Sequence, residues 1–254
     1  MSTAVCAILP LPMWLESPNA CWPQRAPAWH VDVACLHRVD AAITKDANAW
    51  PRGRVLSQDS KDPIAAHLAL SFAALDRAVH DPQLRASARE IAATIIAALR
   101  SGNKLLIIGN GGSAADAQHI AAEIVGRYKQ DRPANAAMAL TTDTSALTAI
   151  ANDYGFEQMF ARQVAGLGQP GDVLLALSTS GRSLNVLAAL RTARERGLIT
   201  IGFTGKGEAL AALCDHFLIA PSDDTPIIQQ IHLTVAHGIC DEIEQAMMGE
   251  VLRK

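Results

Sequence analysis

The second part of the chain, residues 59–254, predicts an α/β domain: a parallel sheet with helices on both faces, preceded by N-terminal helices. Three observations lead there. Short apolar runs alternate with stretches of helical period from about residue 103 onward. Each run is apolar along its length, as in strands buried on both faces. Two of the runs end in glycine- or serine-rich loops, and ligands in such sheets bind beyond the carboxyl ends of strands.

The elements follow in order. In "SKDPIAAHLALSFAALDRAVHD", Asp62 is an N-cap and Pro63 takes the first helical position. Ile64, Leu68, Phe72, Leu75 and Val79 then recur at helical spacing. "PQLRASAREIAATIIAALRSGN" is a second amphipathic helix, closed by Gly102. Strands are expected at 104–109, 136–141, 172–178, 198–204 and 216–221. Helices are expected near 113–128, 145–165, 183–196 and 206–214, and a last long one from about 225 to 248.

Composition bounds the function. The chain has 254 residues, half of them hydrophobic and 19% charged, enough for a sizeable core. A net charge of -3 gives no electrostatic reason to expect nucleic acid or an anionic membrane as partner. No apolar run reaches the roughly 18 residues of a membrane span. Cys6, Cys21, Cys35, Cys214 and Cys240 are odd in number and contain no CxxC pair. Neither a disulfide framework nor a zinc knuckle follows, and a reducing cytoplasm is the simplest setting.

Residues 1–58 differ in character. All four tryptophans and six of the twelve prolines lie by Pro51, with no sustained period. The apolar start lacks the basic region of a signal peptide. The segment is expected to be a poorly ordered extension or upstream sequence outside the protein proper, with packing on a partner as the third reading.

Four stretches carry candidate chemistry. "GNGGSAAD" places Asn110, Gly111, Gly112 and Ser113 between a strand and a helix, where free N–H groups favour an anion. It is neither GxGxxG nor a Walker loop, and a simple tight turn is the plain alternative. "LSTSGRSLN" packs Ser178, Thr179, Ser180 and Ser183 into six residues, a dense hydroxyl set able to wrap a phosphate. Ser183 alone could be an N-cap. His119 and Glu123 stand four apart on one helix face, so they can share a metal, divide acid and base work, or form a surface pair. On the last helix Gln229 and His237 are eight apart, about 80° around the axis, and can flank one site. Asn152 and Asp153 precede Gly155, either as turn chemistry or as a ligand contact, and Lys206 reads as a solvated helix-start lysine.

Together "GNGGSAADAQHIAAE", "TAIANDYGFEQMFARQV", "PGDVLLALSTSGRSLNV" and "IIQQIHLTVAHGICDEIE" resemble the SIS (sugar isomerase) domain family over roughly residues 60–254, nearest its phosphoheptose isomerase branch. The resemblance implies a flavodoxin-like sheet and a cytoplasmic homotetramer with active sites at subunit interfaces. It implies that sedoheptulose 7-phosphate is isomerised through an enediol, opening ADP- or GDP-heptose biosynthesis for lipopolysaccharide or another glycan. Carried over by position, Glu123 and His237 are the catalytic base and acid. Asn110, Gly111, Gly112, Ser113, Glu123, Asn152, Asp153, Ser178, Thr179, Ser180, Ser183 and Gln229 bind the sugar phosphate. His119, Glu123, Gln229 and His237 hold one Zn2+ per subunit. Two other readings come from the same family: a non-catalytic tetramer that binds the bacterial replication initiator, and an isomerase of another phosphosugar. Glu123 and His237, replaced in the non-catalytic relative, favour the enzyme. Arg182 stands where the family more often has Asn.

Overall fold

The computed structural model describes residues 62–251; the reading of residues 1–58 lies outside them. Two helices come first, α1 (Pro63–His80) and α2 (Pro82–Arg100). There follow β1 (Leu105–Gly109), α3 (Gly112–Val125), β2 (Ala137–Ala139), α4 (Thr144–Tyr154), a 3-10 turn (Phe156–Gln158) and α5 (Met159–Leu167). The chain continues through β3 (Val173–Leu177), α6 (Leu184–Glu195), β4 (Ile199–Thr204), the single turn α7 (Glu208–Ala211), β5 (His216–Ile219) and α8 (Thr225–Val251).

The starts of the first two helices follow the sequence signals. The Asp62 carboxylate accepts from the N–H groups of Ile64 and Ala65, and Asp81 accepts from those of Gln83 and Leu84. Each cap is followed by a proline, whose missing N–H costs nothing at that position.

All five strands are parallel, in the order β2-β1-β3-β4-β5. After β2 the chain returns across β1 to form β3, so the order reverses between β1 and β3. That reversal opens a crevice at the carboxyl ends of the two strands. In register, Gly109 pairs with Leu177. The loops that leave β1 and β3 therefore start side by side.

Side chains alternate across the sheet. Leu105, Ile107, Leu175 and Phe203 face a layer of α1, α2, α3 and α8. Leu106, Ile108, Leu174 and Ala176 face α5 and α6. The long α8 is fully engaged with this fold: Ile227, Ile228, Ile231, Ile239 and Ile243 are buried in the first layer. Its packing against α3 brings the end of the chain to the helix that follows the glycine loop.

Two expectations are corrected. The helix foreseen at 145–165 is two helices, because Gly155 takes a φ of +88° and ends α4, and a 3-10 turn intervenes before α5. The helix foreseen at 206–214 is only the one turn of α7. The helix α1 forms as expected. Its apolar residues recur at helical spacing, yet Ile64, Leu68 and Phe72 are 72%, 64% and 64% exposed. The residues of α1 that are buried are the small ones on another face, Ala74 and Ala78.

Among the described residues Cys214 and Cys240 are free thiols. Burial pushes both up to about 12, so they stay protonated. No helix of the described residues is long and apolar enough to cross a membrane.

Candidate active site

The loops after β1, β3 and β4 meet at the carboxyl edge of the sheet. The loop after β3 carries Ser178, Thr179, Ser180 and Ser183, the hydroxyl set noted in the sequence. Ser178 is buried, and its Oγ lies 3.2 Å from Oγ of Ser183. Ser183 occupies the N-cap of α6 without a side-chain capping bond. Its hydroxyl meets Ser178 and makes no bond to the helix it caps. Thr179 and Ser180 line a cleft of about 710 Å³ with Arg182, Lys206, Asp223 and Thr225. Lys206 is a solvated lysine just before α7, as read, and its Nζ lies 2.7 Å from Oδ1 of the likewise exposed Asp223.

The cup is closed from behind by the loop after β4. The N–H of Gly205 donates to the Thr179 carbonyl at 3.0 Å. Gly181 has a φ of +63°, and a Cβ there would meet Gly207 Cα and the Lys206 carbonyl at 2.6 Å. Both the backbone conformation and the space demand glycine. Gly181→Ala is expected to cost about 1–3 kcal/mol of stability and to raise KM for a phosphorylated substrate at least tenfold. Denaturant unfolding and initial-rate kinetics check the two effects.

The glycine loop is tied to this cup. Asn110 and Asn185 exchange amide hydrogen bonds of 2.9 and 2.8 Å. Asn185 is buried in the first turn of α6 and also accepts from the N–H of Val186. Sequence reasoning assigned Asn110 to the substrate and missed Asn185. An Asn two residues inside a helix signals nothing by itself, and its partner is 75 residues away. Ser113 is buried at the start of α3. Gly112 leaves room for the amide of Gln229, whose Nε2 would lie 2.6 Å from a Cβ at that position.

Further along α3 the expected cluster forms. His119 Nε2 lies 3.1 Å from Glu123 Oε1 and 3.1 Å from His237 Nε2. The side chains of His119 and Glu123 are 46% and 23% exposed, so the cluster is open to a solute. Three ligand atoms, one each from His119, Glu123 and His237, lie within 4.8 Å of one another. Tetrahedral zinc with bonds of about 2.0–2.1 Å sets its ligand atoms roughly 3.3 Å apart. The donor set and both 3.1 Å separations fit such an ion. Gln229, the fourth expected ligand, stands two turns back along α8 with its amide against Gly112.

Asn152 and Asp153 are exposed near the end of α4. They hydrogen-bond to each other at 2.8 Å, and α4 packs mainly on α5 and the 3-10 turn. The fold thus gathers Asn110 to Ser113, the cup, Gln229 and the His119 cluster along the sheet edge and α3–α8 seam. The Asn152–Asp153 pair stands apart on its own helix.

On α8 between Gln229 and His237, His232 is fully buried beside Phe203, with ring centroids 5.6 Å apart. Burial holds its pKa down to about 4, so it is neutral at neutral pH and adds no charge to the site.

Fold and site define an open parallel α/β protein with a hydroxyl-rich loop at the carboxyl edge of its sheet and a His/Glu/His cluster of the kind that can move protons or hold a metal. The sequence model of the SIS domain matches residues 73–205. Over 197 residues the chain is 70% identical to phosphoheptose isomerase of Bradyrhizobium sp. (strain BTAi1 / ATCC BAA-1182), covering 77% of this chain and 100% of that protein. It is 53% identical to the phosphoheptose isomerase of Burkholderia pseudomallei (strain K96243) over 171 residues, 67% of this chain and 87% of that one. Among solved structures, phosphoheptose isomerase from Neisseria gonorrhoeae superposes with a TM-score of 0.67 at 45% identity, covering 72% of this chain and 97% of that one. The chain belongs to the SIS domain family, and within it to the phosphoheptose isomerase family.

Proposed function

We propose that this protein is an aldose–ketose isomerase that converts sedoheptulose 7-phosphate to D-glycero-D-manno-heptose 7-phosphate, the entry to nucleotide-activated heptose. The observation that carries the reading is the His119–Glu123–His237 cluster, assembled from two helices far apart in sequence, on a chain 70% identical to a phosphoheptose isomerase.

The chemistry follows from what each group can do. Ser178, Thr179, Ser180 and Ser183 hold the phosphate, with Asn110, Gly111, Gly112, Ser113 and Gln229 along the sugar; Asn152 and Asp153, which stand apart from these within one chain, would meet the sugar across a subunit interface. Phosphate held at one end fixes where the reacting carbons lie, which turns proton transfer into a step between pre-placed atoms. Glu123 takes the proton from the carbon alpha to the carbonyl, giving an enediolate, and returns it to the neighbouring carbon. His237 moves the second proton between O1 and O2. A carboxylate has two oxygens; Oε1 is the one that faces His119.

His119, Glu123 and His237, with Gln229 as fourth ligand, would hold one Zn2+ per subunit. When bound, zinc supplies polarisation of the substrate carbonyl.

A homotetramer with active sites at subunit interfaces is the assembly we infer. Two observations support it: the open face of the cluster and the exposed Ile64, Leu68, Phe72 stripe of α1. Contiguous apolar side chains left in water mark an interaction surface. With a net charge of -3, the reading calls for no nucleic acid and no membrane as partner, and for a cytoplasmic setting.

The test is an isomerase assay on the purified protein with added zinc, run on sedoheptulose 7-phosphate and on a pentose and a hexose ketose phosphate. Turnover of the heptulose at least a hundredfold above the others is expected. Preference for a shorter sugar transfers the reading to another phosphosugar. No isomerisation of any sugar would leave a binding tetramer as the function.

A further inference from the structure

The loop between α3 and β2 connects both halves of the catalytic pair, and a buried carboxylate holds it. Glu244 on α8 is 1% exposed. Its Oε1 accepts from the N–H of Tyr128 at 2.8 Å, and its Oε2 from the N–H groups of Lys129 and Gln130, both at 2.9 Å. Burial alone would push this carboxyl up; the three N–H donors and the Arg132 guanidinium outweigh it and hold it below its ordinary value. Nε of Arg132 lies 3.5 Å from Glu244 Oε1, with both side chains 1% exposed.

From this anchor the loop reaches in two directions. Arg132 Nη2 donates to the carbonyl of Glu123 at 2.7 Å. That carbonyl is one of the last four of α3, which lack partners within the helix. In the other direction, the Tyr128 ring stacks on the His237 imidazole, with centroids 5.6 Å apart and planes 26° from parallel. Lys129 reinforces this contact: its Nζ is 2.7 Å from Asp241, one turn beyond His237, and 4.9 Å above the Tyr128 ring.

We propose that Tyr128, held by the Glu244 clamp, is a positioning residue for the isomerisation: it sets the plane of the His237 imidazole against Glu123 from the far side of the cluster. The inference rests on the isomerase reading above, in which Glu123 and His237 work on the same pair of carbons. Helix packing fixes where the His237 Cα stands. The His119 contact holds one ring nitrogen of His237, and a flat aromatic partner on the ring face restricts turning about that contact. Misplacing a reacting group by about 1 Å costs up to a hundredfold in rate.

The experiment compares Tyr128→Phe with Tyr128→Leu in the full-length protein. Phe keeps the stack; Leu keeps apolar bulk and loses it. The Tyr128→Leu variant is expected to lose about tenfold in kcat with KM within about twofold, and Tyr128→Phe to retain at least half of the wild-type kcat. A second readout needs no substrate. With 13C-labelled histidine, the His237 Cε1–H signal sits upfield in the wild type and in Tyr128→Phe, and returns downfield in Tyr128→Leu. Glu244→Gln, which keeps the size of the side chain but cannot accept all three N–H bonds, shifts that signal in the same direction. An unshifted His237 signal in Tyr128→Leu overturns the proposal, as does an unchanged kcat in an active enzyme. If the signal behaves as expected but the wild type isomerises no sugar phosphate, the isomerase reading fails and the orienting contact stands.

Discussion

Replacing Glu123 by Gln lowers kcat about a thousandfold or more, while the protein stays folded. The size follows from the role: a positioned general base contributes about 10²–10⁴ in rate. Gln keeps the shape of the side chain and can still meet His119, but its amide takes no proton from carbon. KM should change little, because phosphate held in the cup supplies most of the ground-state binding. Stability should change by no more than about 0.5 kcal/mol, as for a partly exposed site away from the core. Steady-state kinetics beside a denaturant curve separates the two quantities. A variant that keeps a tenth of the wild-type kcat would remove Glu123 from the base's role.

The largest stability effect is expected at Asp172→Ala. Asp172 is 1% exposed at the foot of β3. Its carboxylate accepts from the N–H groups of Lys104 at 2.9 Å and Gln169 at 2.8 Å, and from Lys104 Nζ at 2.6 Å. It thereby ties together the starts of the two strands whose far ends carry the site. Truncation leaves two part-buried N–H groups without an acceptor, at about 1–3 kcal/mol each. The Lys104 side chain is 29% exposed and can return to water, so its share is small. A loss of about 3–4 kcal/mol is expected, a large fraction of the roughly 5–15 kcal/mol typical of a domain. The pH dependence has a definite sign. Burial alone would raise this carboxyl, but Lys104 and the two N–H groups hold it below its ordinary 3.8. Its contribution is complete above pH 3.8 and is lost as pH falls through the lower folded value. Glu244, held below its ordinary 4.5, acts in the same direction. Wild-type stability should therefore drop steeply below about pH 4. Asp172→Ala, less stable at pH 7, should show a shallower acid limb. Urea midpoints at pH 7 and pH 3.5 decide it.

Much of this protein is legible in its sequence, and the parts that are not share a cause. Strand runs such as "LLIIG" and "VLLAL" are apolar throughout because both faces are covered, and that pattern is local. The hydroxyls of the β3 loop and the four-residue spacing of His119 and Glu123 are also local. The end of α4 at Gly155 was readable in principle, since Asn-Asp before a glycine is turn chemistry; the apolar period continuing to Val164 concealed it. The Asn110–Asn185 amide pair and the Glu244 clamp were not readable. Each is made by residues that look solvent-facing in their own segment and meet only after the sheet and the α3–α8 packing have formed. A glutamate late in a helix reads as surface charge until its three N–H donors are in place. The apolar stripe of α1 shows the reverse. Its period was plain, but periodicity tells which face is apolar and not what covers it.

The central claim is that Glu123 carries a proton between adjacent carbons of a bound ketose phosphate, and solvent exchange tests it most directly. Sedoheptulose 7-phosphate is incubated with the full-length protein and zinc in D2O, and the products are followed by proton NMR. The account predicts formation of D-glycero-D-manno-heptose 7-phosphate with deuterium at C2, together with exchange of one C1 proton of the remaining ketose, and neither with Glu123→Gln. Isomerisation by the wild type that continues undiminished in Glu123→Gln, or no exchange and no aldose from the wild type at all, would contradict it.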